Sequence, residues 1–205
     1  MIEIRPATLD ELAVAEQLRA TVFREAHLTA TKHIAIQKQI QVRLEIREIV
    51  GEPPGHTWIA WEGDQAVGAT CIDTMEYSNP VPGLAGLWAL RRLGVLGALQ
   101  YLALAVSGYR ATRPEEVYFH GMVVLPAYRS QGVAMQLFLA SEAAARKMGK
   151  TWGTAFIAEE NVASQKFAEK CGFRRVDRPR PWWRRLLFGR ARFVYYEKSL
   201  KSFQE

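Results

Sequence analysis

Residues 124–134 read Val-Leu-Pro-Ala-Tyr-Arg-Ser-Gln-Gly-Val-Ala. The run from Glu116 to Leu125 is apolar enough for a buried strand, and Pro126 stops it. A helical period follows from Arg129 to Met148, with Val133, Leu137, Ala140 or Ala144, and Met148 at core spacing. A strand that passes into a helix through a glycine-containing turn points to an α/β fold. The same junction makes an anion site. The first amides of a helix lack internal acceptors, and the helix dipole favours negative charge beside them. Gly132 removes the side chain that would keep a phosphate off the backbone. Ala134 keeps the next close approach small, and Arg129 adds a cation at the rim.

The rest of the chain alternates in the same way. Ile2-Glu3-Ile4-Arg5 reads as a short strand ending at Pro6. Thr8 or Asp10 can cap a helix carrying Leu12, Ala15, Leu18 and Val22. A second helix is expected from about His33 to Ile49, stopped by Gly51-Glu52-Pro53-Pro54-Gly55. Thr57–Trp61 and Ala66–Thr74, joined by Glu62-Gly63-Asp64-Gln65, carry a hairpin signal. Residues 78–113 interrupt the pattern with one or two inserted helices. Strands at Thr151–Ile157, Phe173–Asp177 and Phe193–Leu200, and a helix from Asn161 to Cys171 capped by Asn161 and stopped by Gly172, complete it. The order βαα-ββ-(insert)-βαβαββ predicts helices packed on one twisted mixed sheet of about seven strands.

Two blocks of residues go further. The order of apolar strand, Pro126, Arg129-x-x-Gly132-x-Ala134 and amphipathic helix resembles the pyrophosphate-binding motif of the GNAT superfamily of acyl-CoA-dependent N-acyltransferases. Asn161-Val162-Ala163-Ser164, Phe167 and Cys171-Gly172-Phe173 resemble that family's second motif, in which an Asn opens a helix beside splayed strands and a Gly-Phe pair ends it. The Ile-Glu-Ile-Arg-Pro-Ala-Thr opening is similar to a common GNAT start. The resemblance spans most of the chain and is most specific over residues 118–173. It implies one GNAT domain over residues 1–205, with a helical insert before the fourth strand. The insert at 78–113 and a loop at 178–192 are not typical of the family.

The resemblance also implies a set of roles. The amides of Gln131, Gly132, Val133, Ala134 and Met135, with Ser130 and Arg129, would hold the pyrophosphate of acetyl-CoA or another acyl-CoA. The strand at Val123 and Val124 would pair with the pantetheine arm, and a backbone amide there would polarise the thioester carbonyl. Asn161 and Ser164 would lie beside the pantetheine or the thiol end. No metal is implied, and the acceptor is an amine of a small molecule or peptide. Many members carry a Tyr seven residues after the motif Asn as general acid; here that position is Ala168. Tyr195 or Tyr196 is the substitute candidate, and a catalytically inactive acyl-CoA-binding protein is the alternative. For the base, His120 lies on the strand leading to the phosphate loop, and strict alternation puts it on one face with Tyr118, Met122 and Val124. Imidazole titrates near neutral pH, which suits proton removal from an amine. Glu76 is a weaker alternative, and Glu159 weaker again.

Charge bears on the partners. The chain carries a formal net charge of +6 and is 49% hydrophobic and 23% charged, which is ordinary globular usage. Eight arginines against one aspartate fall between Phe173 and Arg192, so the remainder is nearly neutral. Trp182-Trp183-Arg184-Arg185-Leu186-Leu187-Phe188 combines cations with aromatics, as a segment meeting an anionic membrane surface would. A longer-chain acyltransferase working near a membrane is therefore an alternative reading. Nucleic acid is disfavoured, because no reader motif accompanies the arginines. Trp88, Tyr101, Trp182 and Trp183 would cover the sheet, line an acceptor pocket with Arg24–His33, or form a homodimer interface. Leu93 to Tyr109 lacks charge but is short for a membrane span. Two distant cysteines and an opening without a signal peptide's apolar core predict a cytoplasmic protein.

Overall fold

Alternation and turn chemistry build the first half of the sheet. β1 (Ile2–Pro6) pairs antiparallel with β2 (Thr57–Glu62), with Ile2 opposite Glu62 and Pro6 opposite Trp58. Pro6 lacks an N–H for a ladder, and an edge strand tolerates that. β2 turns through Gly63-Asp64 into β3 (Gln65–Thr74), and Gly63 takes the positive φ of 56° that a tight hairpin turn favours. The computed structural model describes residues 1–22, 45, 55–76, 90, 91, 94, 95, 113–177 and 193–201.

Among the described residues the sheet has seven strands in the order β1-β2-β3-β4-β5-β7-β6. β4 (Glu116–Val124) and β5 (Trp152–Ala158) are parallel neighbours; every other pair is antiparallel. A parallel pair needs a crossover. It is supplied by a 3-10 turn (Pro126–Tyr128) and α2 (Val133–Lys147), where α1 is the helix Leu12–Val22. α3 (Val162–Lys170) follows β5, and β6 (Arg174–Val176) and β7 (Phe193–Ser199) close the far edge.

The sheet is buried on both faces at its centre. On one side Ala15 and Leu18 of α1 pack with Ile59, Ala69 and Val123. On the other, Val133 and Leu137 of α2 pack with Ala60 and Val67. Further along that second side Phe119, Phe138 and Phe173 meet at tilted and edge-on angles, with ring centroids 5.3–5.8 Å apart. Rings of this kind each contribute roughly 1.5–3 kcal/mol by burial.

Several expectations shift by a turn or a face. The helix begins at Val133, not Arg129, because the chain first makes a 3-10 turn and then takes positive φ at Ser130 and Gly132. Its buried face is Val133, Leu137, Phe138, Ser141, Glu142 and Ala145, and Met148 is exposed. Thr8, not Asp10, precedes the first helical turn; its N–H donates to Glu11 Oε2 at 2.9 Å. The helix at 33–49, the insert at 78–113, the region 24–33 and the loop at 178–192 lie outside the described residues, apart from residues 45, 90, 91, 94, 95 and 113. Trp88, Tyr101, Trp182 and Trp183 lie outside them too. No helix among the described residues is long and apolar enough to cross a membrane.

Candidate active site

β4 and β5 pair from Glu116 opposite Trp152 to Phe119 opposite Ala155, and no further. Beyond that point β4 keeps β3 as its neighbour, with Val123 opposite Ala69 and Val124 opposite Gly68. β5 keeps β7, with Phe156 opposite Tyr195 and Ala158 opposite Phe193. The parallel strands therefore part. The β4 edge from His120 to Val124, on the side turned from β3, has no strand partner among the described residues. Val123 and Val124 lie on this edge.

An irregularity sits where the strands part. Cys71 is opposite His120, yet Ala69 is opposite Val123, so Gly121 and Met122 together face Thr70. This is a β-bulge, and Gly121 takes a φ of 64° within it. The extra residue reverses the alternation. Tyr118 and His120 share one face, with rings stacked 5.0 Å apart at 10°. Met122 and Val124 do not join them; both pack with Val133 and Leu137 on the α2 side. The expectation that all four share a face fails at the bulge.

The open edge leads into the turn before α2. Gly132 is the helix N-cap at φ 82°, and no side chain caps the helix there. A Cβ on Gly132 would meet nothing within 4 Å, so open space adjoins the start of the helix. By contrast α3 is closed by its own cap, Asn161 Oδ1 accepting from Ser164 N at 3.1 Å. Ser130 holds a φ of 62°, unusual for a residue with a side chain. Leu125 N donates to Val67 O at 2.9 Å, and Tyr128 Oη donates to Glu62 at 2.6 Å, tying the turn to the β2–β3 hairpin. That bond to the carboxylate raises the Tyr128 pKa. Arg129 folds back, its Nε donating to the Val124 carbonyl at 3.2 Å, and Gln131 Nε2 donates to Ala127 O at 2.8 Å. Both side chains therefore brace the turn. A group bearing phosphates fits this cradle, because uncapped amides, positive-φ residues and open space coincide.

The remaining candidates are dispersed. His120 Nε2 lies 3.1 Å from Asp73 Oδ2 and makes no hydrogen bond among the described residues. Asp73 carries no signal of its own in the sequence; the β3–β4 register, which sets it opposite Tyr118, is what brings it here. Glu76 is at the other end of β4 from the parting, where both its oxygens accept from Lys150 at 2.9 Å. That bond is the main reason its pKa falls to about 2, which makes it a poor proton acceptor. Tyr196 is 1% exposed, and its hydroxyl lies 3.3 Å from both Gln165 and Glu169 of α3. Burial, then Glu169, raises its pKa. Tyr195 points to the opposite face, tilted against Phe156 at 4.8 Å. Ala168 is buried and Phe167 packs edge-on against Phe138. Glu159 is half-buried after β5, and its carbonyl accepts from Gln165 at 2.7 Å. The structure thus gathers His120, Val123, Val124 and residues 129–135 along one path, with Asn161 and Ser164 just past the end of β5.

A mixed sheet whose central parallel strands part beside an uncapped, glycine-started helix is the frame of an acyl-CoA-dependent acyltransferase. Residues 15–173 match the acetyltransferase (GNAT) family, and the chain belongs to that family. Its fold is similar to that of yncA from Salmonella typhimurium, solved with its cofactor acetyl-CoA, at 16% identity over 100% of this chain and 97% of that one, with a TM-score of 0.59. It is also similar to a GNAT-family acetyltransferase from Staphylococcus aureus Mu50, at 15% identity, 98% and 100% coverage and a TM-score of 0.62. A ribosomal-protein-alanine N-acetyltransferase from Brucella melitensis matches at 17% identity, 96% and 99% coverage and a TM-score of 0.58. No curated protein matches the chain in sequence.

Proposed function

We propose that this chain is an N-acetyltransferase, working as one domain, that moves an acetyl group from acetyl-CoA to the amine of a small molecule or peptide, with a cytoplasmic setting. The observation that carries the reading is the parting of β4 from β5 beside the uncapped start of α2. Acetyl-CoA supplies an acyl group already activated as a thioester. The amides of Gln131 to Met135, with Ser130, hold its pyrophosphate, and the Arg129 guanidinium, braced through Nε on the Val124 carbonyl, keeps positive charge beside it. The β4 edge at Val123 and Val124 takes up the amides of the pantetheine arm as a neighbouring strand would. A backbone N–H of this edge polarises the acyl carbonyl. Asn161 and Ser164 flank the open end from the start of α3.

An amine attacks only when neutral. His120 takes the proton, and the carboxylate of Asp73 at 3.1 Å steadies the imidazolium that results. A carbon–nitrogen bond forms, the carbon–sulfur bond breaks, and sulfur leaves with the electron pair. Ala168 offers it no proton, and the Tyr196 hydroxyl is bonded to Gln165 and Glu169 of α3, so neither of these two positions serves as the acid.

The buried, hydroxyl-free Ala168 favours one second reading, a protein that binds acyl-CoA without turning it over. Calorimetry with CoA, acetyl-CoA and a longer acyl-CoA, followed by thiol release over a panel of primary amines, decides between them. Binding with amine-dependent thiol release supports the transferase. Binding without release against any amine supports the second reading, and a preference for the longer chain redirects the acceptor search toward lipid-like amines.

A further inference from the structure

We propose that Arg19 of α1 is a positioning residue for acyl transfer, fixing from beneath the one peptide of β4 at which the strand changes face. The inference rests on the transferase reading above and names a residue that neither family motif contains.

Arg19 and Glu16 are 6% and 2% exposed. Arg19 Nη1 donates to Glu16 Oε1 at 2.6 Å, Nη2 donates to Cys71 Sγ, and Nε donates to the Gly121 carbonyl at 3.3 Å. Cys71 Sγ also meets Thr57 Oγ1. One guanidinium therefore joins α1, β3 and β4. Apolar side chains of similar volume commonly serve a buried site at least as well as an ion pair. Stability alone is thus a weak reason for a charge here. Geometry offers a stronger one, because a guanidinium presents donors in a fixed planar fork.

Gly121 fits that fork. A Cβ at this position would lie 2.8 Å from Arg19 Nε and 3.3 Å from Cδ, and the φ of 64° already favours glycine. Glycine and arginine are matched: one leaves the space, the other fills it and binds the carbonyl. The peptide unit is planar, so holding the Gly121 carbonyl also fixes the direction of the Met122 N–H. This peptide lies just beyond Phe119, where β4 loses β5. It separates His120, which faces the α1 side, from Met122, which packs toward α2. Arg19 thus acts on the acyl end of the cleft. The pyrophosphate end, around Gly132, is held by separate bonds from Leu125, Tyr128 and Arg129.

The test separates the two ends by amide NMR on the full chain, using CoA and acetyl-CoA as probes. In the wild type, amides near Gly132 should shift equally with both ligands, whereas those of Gly121 and Met122 should differ between CoA and acetyl-CoA. Arg19→Met is expected to keep CoA affinity within about threefold and to lose that acetyl-dependent difference. If R19M does not fold, Arg19→Lys carries the test. It retains charge beside Glu16 but cannot reach Glu16, Cys71 and Gly121 together, and should lose more than half of the difference. An undiminished difference in the folded variant overturns the proposal, as does its absence from a wild type that binds both ligands. A wild type that binds neither ligand overturns the transferase reading itself, and this inference with it.

Discussion

His120 and Met122 stand two positions apart on β4 and face opposite sides of the sheet. In a regular strand they would share a face. The bulge at Gly121 and Met122 opposite Thr70 separates them. His120 is left beside Asp73 and Tyr118, while Met122 and Val124 join the apolar seam under α2.

Substitution of His120 by Gln should lower acetyl turnover by roughly 10²–10⁴-fold, the usual contribution of a positioned general base. Affinity for CoA should stay within about twofold, because His120 is on β4 and is no part of the turn that opens α2. The measurement is thiol release with any amine accepted by the wild type. Unchanged turnover would remove His120 from the mechanism.

Gly132→Ala should weaken CoA binding and cost about 1–2 kcal/mol of stability, since a Cβ is forced into left-handed backbone at φ 82°. Gly132→Glu adds bulk and negative charge beside the first amides of α2 and should abolish CoA binding by calorimetry. A folded G132E protein with wild-type affinity would show that the phosphates bind elsewhere.

Asn161→Ala should destabilise the protein by roughly 0.5–2 kcal/mol through loss of the bond to Ser164 N. Asn161→Asp, which retains a capping oxygen, should recover most of that. Thermal denaturation of the three proteins tests it; equal losses in both variants would mean that the amide group, not the cap, matters.

Acid should weaken the fold between pH 4.5 and 2. Glu11, bonded chiefly by Arg5, and Glu76, bonded chiefly by Lys150, each fall from 4.5 to about 2 in the folded protein. A lowered folded pKa stabilises above the unfolded value, and that contribution disappears as pH drops through the folded one. Glu11→Gln and Glu76→Gln should each be less stable at neutral pH and lose less on acidification. Melting temperatures taken down the pH series check this, and slopes identical to the wild type's would exclude these carboxylates as the acid-sensitive groups.

Local signals carried much of the architecture. Gly63-Asp64 between alternating runs is enough to specify a hairpin, and Asn161 followed by an apolar helix and Gly172 is enough to bound α3. Gly132 was legible as the residue that opens α2 without a side-chain cap, because only backbone chemistry at a helix start was needed. Asp73 carried no such signal: its contact with His120 comes from the pairing of two strands. Glu16 and Arg19 read as ordinary polar residues of an amphipathic helix, and their burial, with Arg19 bonded to Cys71 and Gly121, comes from tertiary packing.

By itself the sequence determined the layering of helices on a mixed sheet, the order of the described elements from β2 to α3, and the glycine that opens α2. Each follows from periodicity, turn residues or helix-end physics that act within a few residues. Tertiary structure alone decided where β4 leaves β5, that a bulge reverses the strand, that Glu76 is held by Lys150 far from the cleft, and that Tyr196 is tied to α3. Those outcomes depend on strand register and on side chains meeting across distant segments. A one-residue slip in pairing changes every face beyond it.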